Sequence, residues 1–238
     1  MKRPILVAGL LLVAAPASAF VLPTFAILGK IGNRRAELGF ETLVLSGHRG
    51  TAENPKAEPI TLYVRAQKGY RIDTPSRRAT TLVMEGKRWS SEGGATAAPE
   101  RVRADMIVDF WARPSKDRGG ERGLAFLDAF NIDEGTVSYG RHDGRVVWII
   151  GAKPWESEKP QLWIDKDYRV PVRLVSVDTK NKVRTDLRAY GVGSALTGEW
   201  FPRRLETWVG DRMLEQLSFH EVRVNAPVEA ALFKPPSK

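Results

Sequence analysis

Three histidines, His48, His142 and His220, are the side chains best placed for metal or acid–base chemistry, and no cysteine accompanies them. A zinc centre needs three or four converging ligands. The histidines fall in a turn before Arg49-Gly50, in a hairpin and on a strand, so their spacing makes them solvated residues. No Gly-x-Ser-x-Gly nucleophile pattern occurs. The glycine pairs after Glu92 and Arg118 lack the strand-to-helix order of a phosphate cradle. The carboxylates Asp165/Asp167 and Asp133/Glu134 fall at turns, where aspartate serves the backbone. The residues nominate no catalytic group, cofactor or metal, and the chain reads as a non-enzyme.

What does stand out is aromatic supply on strand-like segments: Tyr63, Tyr70, Trp89, Trp148, Trp163, Trp200, Trp208 and Phe219. Such residues either pack a β-core or line an open hydrophobic cavity, whose edge suits an apolar ring with a polar tip.

The elements that must position them alternate in character. Leu22–Leu38 carries Ile27, Leu28 and Ile31 at helical spacing, with Thr24 as cap and Gly39 as stop. From Phe40 the period becomes that of strands: Phe40–Ser46, Ile60–Ala66, Tyr70–Asp73 and Thr80–Glu85, then a turn at Glu85-Gly86-Lys87 leading into Trp89. A helix opens at Pro99-Glu100, Ser115–Gly123 reads as a charged loop, and Leu124–Phe130 as a second short helix. Strands return at Thr136. His142-Asp143-Gly144 is a hairpin signal, and Val146–Ile150, Leu162–Asp165 and Val170–Val175 form a meander. Trp200–Val209 and Met213–Val224 form a final hairpin around Gly210-Asp211. About a dozen strands in one sheet curl or close. With no repeat and no linker, residues 20–238 read as a single domain.

Lys2 and Arg3, the apolar run Ile5–Ala15 and Ala17-Ser18-Ala19 form a secretory signal peptide, expected to be cleaved after Ala19. Its apolar run is too short to cross a bilayer, which takes about 20 residues. Removing residues 1–19 of 238 leaves 219, enough for a core without disulfides. The formal charge of +9 falls by two with Lys2 and Arg3, to +7. Its lysines and arginines are scattered, so the expected partner is not nucleic acid; an anionic membrane surface fits better, and a well-solvated surface better still. The mature chain is expected to be soluble and periplasmic.

Leu162-Trp163-Ile164-Asp165 followed by Arg169-Val-Pro-Val-Arg173 resembles a strand pair of the LolA-like periplasmic lipoprotein carrier superfamily. Gly198-Glu-Trp-Phe-Pro202, Val224-Asn225-Ala-Pro-Val228 and Leu232-Phe233 resemble its closing segment. The resemblance implies a mainly β (α+β) fold: a curved, incompletely closed antiparallel half-barrel with short helices covering its concave face. It also implies an apolar cavity for acyl chains, a lid in Pro99–Phe130, and a monomer whose partners are an acylated lipoprotein or lipid and an inner- or outer-membrane protein. The candidate lining residues are Leu62, Val64, Tyr70, Ile72, Leu82, Trp89, Phe126, Phe130, Trp148, Ile150, Trp163 and Trp208. Arg65 is the nearest match to the arginine of an arginine–proline pair that governs cargo transfer in the family, although here no proline follows it.

Acyl burial yields about 0.8 kcal/mol per methylene, so a chain gains on the order of 10 kcal/mol. A carrier that must release cargo therefore needs a loose cavity or one its own lid refills, with Leu124, Phe126, Leu127 and Phe130 swinging in and out. A protein-binding envelope sensor is the alternative reading of the same fold.

Overall fold

Alternation of apolar and polar side chains through a dozen segments produces one antiparallel sheet in the computed structural model. It describes residues 21–39, 41–66, 68–75, 77–85, 88–91, 98–112, 120–178 and 180–233, without the side chains of 77–91 and 98. The segment expected to be a signal peptide lies outside the described residues. The strands are β1 (Thr42–Gly50), β2 (Glu58–Arg65), β3 (Gly69–Thr74), β4 (Arg77–Glu85) and β5 (Arg88–Ser91), then β6 (Val137–His142), β7 (Arg145–Ile150) and β8 (Gln161–Asp165). They continue with β9 (Pro171–Val177), β10 (Arg184–Tyr190), β11 (Arg204–Val209) and β12 (Arg212–Val224). Their order is β5-β4-β3-β2-β1-β12-β11-β10-β9-β8-β7-β6. Every neighbour follows in sequence except β1 and β12, which join the two ends of the chain at the middle of the sheet. The ends β5 and β6 stay unpaired with each other among the described residues, so the curved sheet is a half-barrel and not a closed barrel.

Local chemistry sets the corners. Asp143 and Gly144 take positive φ of 50° and 76°, the geometry of a two-residue turn matched to strand twist. The helix α1 (Thr24–Leu38) ends at Gly39 in the left-handed region, as its sequence predicts. Its start differs from expectation: Pro23 occupies the cap, and the Thr24 hydroxyl donates to the Glu134 carbonyl at 2.6 Å, tying α1 to the loop before β6. The Pro99 helix is α2 (Ala98–Met106), which widens into a π turn at Ile107–Trp111. The next helix, α3 (Glu121–Ala129), begins three residues before Leu124, so Glu121–Gly123 is helical and not loop. Trp200 and Phe201 precede β11 in a glycine-rich turn instead of opening the strand, and Phe201 drops fully into the core.

Candidate functional site

The register brings one apolar stripe across the sheet. Leu45 pairs with Leu62, Leu62 with Ile72, and Val64 with Tyr70. Beyond β12, Leu217 stands opposite Leu205, Leu187 opposite Leu174, and Leu174 opposite Leu162. The stripe ends with Leu162 opposite Ile150 and Ile164 opposite Trp148. All of these side chains are buried, against the helices that cover the face.

The cover is equally apolar. It brings down Ile27, Leu28 and Ile31 of α1, Met106, Ile107, Phe110 and Trp111 of α2 and its π turn, and Phe126 and Leu127 of α3. Phe110 meets Phe126 edge-on at 4.7 Å between ring centroids, and Phe126 meets Phe130 at 4.6 Å. A second aromatic path runs from Trp111 to Phe201 at 5.6 Å and on to Phe219 at 5.4 Å. Gly123 lets α1 and α3 touch, because a Cβ there would stand 2.9–3.0 Å from the Leu28 side chain. The concave space is thus filled by the chain's own side chains.

Two buried arginines hold this cover. Arg35 of α1 donates to the carbonyls of Glu199 and Trp200, each at 3.1 Å, and to that of Trp111. Its burial lowers the guanidinium pKa to about 9, with neighbouring Arg34 acting in the same direction. Arg103 of α2 pairs with Glu215 of β12, which also pairs with Arg49 of β1 at 2.5 Å. Arg49, Glu100, Arg103 and Glu215 line a cavity of about 330 Å³ at this edge of the cover. These are the site's charged groups that the sequence reading missed. An isolated Glu215 on a strand carries no signal until β1 and α2 supply its partners.

Among the sequence-derived candidates, Leu62, Val64, Tyr70, Ile72, Phe126, Trp148 and Ile150 come together in this interior, with Phe130 partly buried beside Phe126. The backbone of Leu82 lies opposite Tyr70 and that of Trp89 opposite Met84; their side chains lie outside the described residues. Trp163 and Trp208 do not share the face. Trp163 pairs with Arg173 and Ile149, and Trp208 with Asp186, on the convex side. There Arg173 lies 4.7 Å over the Trp163 ring and Arg188 4.6 Å over Trp208, with Asp186 accepting from both arginines. Arg65 ends β2 at the short turn to β3 and alternates with the inward Val64, which places it on the convex side as well. His142 also departs from expectation. It stacks on Tyr190 at 4.8 Å, and its Nε2 lies 2.7 Å from the Ala189 carbonyl; burial holds it below the usual imidazole range.

No cluster of three or more His, Asp or Glu suited to a metal occurs among the described residues. No helix among them is long and apolar enough to cross a membrane.

No family model and no curated protein matches the sequence. Solved structures do. A LolA superfamily protein from Nitrosomonas europaea superposes with a TM-score of 0.50 at 12% identity, covering 90% of this chain and 98% of that one. The chain has a LolA-like fold. A putative outer membrane lipoprotein-sorting protein domain from Vibrio parahaemolyticus matches with a TM-score of 0.49 at 12% identity, over 87% of this chain and 94% of its own.

Proposed function

We propose that this chain is an exported, monomeric carrier that holds acyl chains of a lipid or lipoprotein between the concave sheet and helices α1–α3. Residues 1–19 would direct it to the periplasm. The observation that carries this reading is the division of labour across the concave space. The floor is tied together by strand-to-strand hydrogen bonds, whereas the roof of helices meets it through apolar side chains and a few arginine contacts. Such a roof can part without breaking the sheet, and the LolA-like fold supports that use.

The energetics agree. An acyl chain entering would gain on the order of 10 kcal/mol at about 0.8 kcal/mol per methylene. It would first have to displace Phe110, Phe126 and Trp111, whose own burial is worth about 1.5–3 kcal/mol for each of the larger side chains. The near balance suits a protein that must load and unload.

The deciding experiment is mass spectrometry of an organic extract of the mature protein, purified gently from its native periplasm. Acylated species at one per protein are expected. An extract free of lipid, repeated after incubation with an acylated lipoprotein, would overturn the carrier reading in favour of a sensor that binds a membrane protein partner.

A further inference from the structure

On the convex face, Tyr190, Arg204, Ser218 and His48 stand in one row, each opposite the next across β10, β11, β12 and β1. The row floors an open cavity of about 710 Å³, separate from the helix-covered interior. Its other walls bring in Lys56 from the β1–β2 loop, Arg203 from the segment before β11, and His220 from β12. The rings of His48 and His220 lie side by side, 5.6 Å between centroids. Arg204 is fixed over the Tyr190 ring at 4.3 Å and braced by Glu206 at 3.1 Å.

The charge balance is one-sided. Three permanent cations, Lys56, Arg203 and Arg204, face a single lining carboxylate, Asp143, which is engaged by the Gly191 amide at 2.9 Å. Lys56 and Arg203 are exposed, and no ion pair joins either to a carboxylate among the described residues. Planar guanidinium forks bind phosphate oxygens in pairs, an ammonium adds a point charge, and imidazoles add N–H donors. The volume lies within the range of small-molecule sites and far exceeds one phosphate group.

We infer that this outer cavity binds a phosphate-bearing organic anion, with Arg203, Arg204 and Lys56 holding the phosphate and Tyr190 beneath it. The site is independent of the acyl reading: it opens on the convex face, and of its lining residues only Phe219 also belongs to the buried interior.

The test is calorimetric titration of the mature protein with pyrophosphate at fixed ionic strength. One binding event per chain is expected. It should weaken at least tenfold in the double variant Lys56→Glu/Arg203→Glu and stay within twofold in Lys180→Glu/Lys182→Glu, which makes the same charge change in the β9–β10 turn. Circular dichroism checks that both variants fold. Competition by phosphatidylglycerol vesicles, absent with phosphatidylcholine vesicles, would assign the ligand to a lipid headgroup. Pyrophosphate binding without competition would assign it to a free phosphate ester. No binding, equal losses in the two variants, or binding of polyglutamate but not pyrophosphate would overturn the proposal.

Discussion

Asp186 shows how a single charge can be more exacting than the apolar groups around it. Its carboxylate is fully buried on β10 and takes two bonds from Arg173, at 2.9 and 2.7 Å, and two from Arg188, at 3.0 and 2.8 Å. Burial by itself would raise its pKa, but the two guanidinium groups outweigh that and hold it below the usual carboxylate range. A depressed folded pKa stabilises the fold above about pH 4 and loses that contribution as pH falls through it. Asp186→Asn is therefore expected to cost about 2–3 kcal/mol at pH 7 by removing the buried charge that two partly buried arginines share. The gap from the parent protein should shrink below pH 4; urea unfolding midpoints across that range measure both. Tyr70 works in the opposite direction. Burial pushes its phenol up to about 12. The folded state then keeps a proton that the unfolded chain releases near pH 10, so the contribution is complete below pH 10 and lost as pH rises through 12. Relative to Tyr70→Phe, the parent should lose about 2–3 kcal/mol between pH 10 and 12, at roughly 1.4 kcal/mol per unit. Equal alkaline slopes in the two proteins would contradict this.

Among the elements, α2 depends most on a polar anchor. Glu215 bridges Arg103 on α2 and Arg49 on β1, and both Glu215 and Arg103 are almost wholly shielded from water. Glu215→Gln keeps the shape but removes the charge, at a cost of about 2–3 kcal/mol. Hydrogen exchange in 98–112 should accelerate at least tenfold while β7–β9 keep their protection; uniform acceleration would mean that the anchor serves the whole fold and not the cover.

These elements were also unevenly legible in the sequence. The helix over α1, the Asp143-Gly144 and Gly210-Asp211 hairpins and the meander β7–β9 follow from periodicity and turn chemistry, because a positive φ or a helical stripe leaves a local mark. Face parity does not. All five residues of β8 are buried, so it carries no alternation to read. Trp163 passes for a cavity residue until its register with Arg173 places it outside. The convex cavity was illegible for a different reason: His48 and Lys56 sit far from Tyr190 and Arg203 in sequence and meet them only because β12 returns to pair with β1.

For the whole molecule, the carrier reading demands that the sheet stay intact while the cover opens, and the chain's lack of cysteine makes that directly testable. At the α1–α3 seam, a Cβ on Gly123 would lie 3.0 Å from the Cβ of Leu28. Bridged cysteines have Cβ atoms about 3.8 Å apart, so a small relaxation of the seam accommodates a disulfide between Leu28→Cys and Gly123→Cys. No native thiol competes for the pair, and oxidation of dilute protein favours the bridge within one chain over one between chains. Oxidised protein should take up a fluorescent acyl probe at least tenfold more weakly than the unmodified chain, and a reductant should restore uptake. The reversal separates locking from damage, since both states share one sequence and neither cysteine belongs to the β1–β12 pairing that joins the two halves of the sheet. Uptake unaffected by oxidation would show that α1 and α3 move as one body, and would shift the opening to the Arg103–Glu215 edge. Loss in both redox states would mean that Leu28 itself forms part of the wall the acyl chain touches.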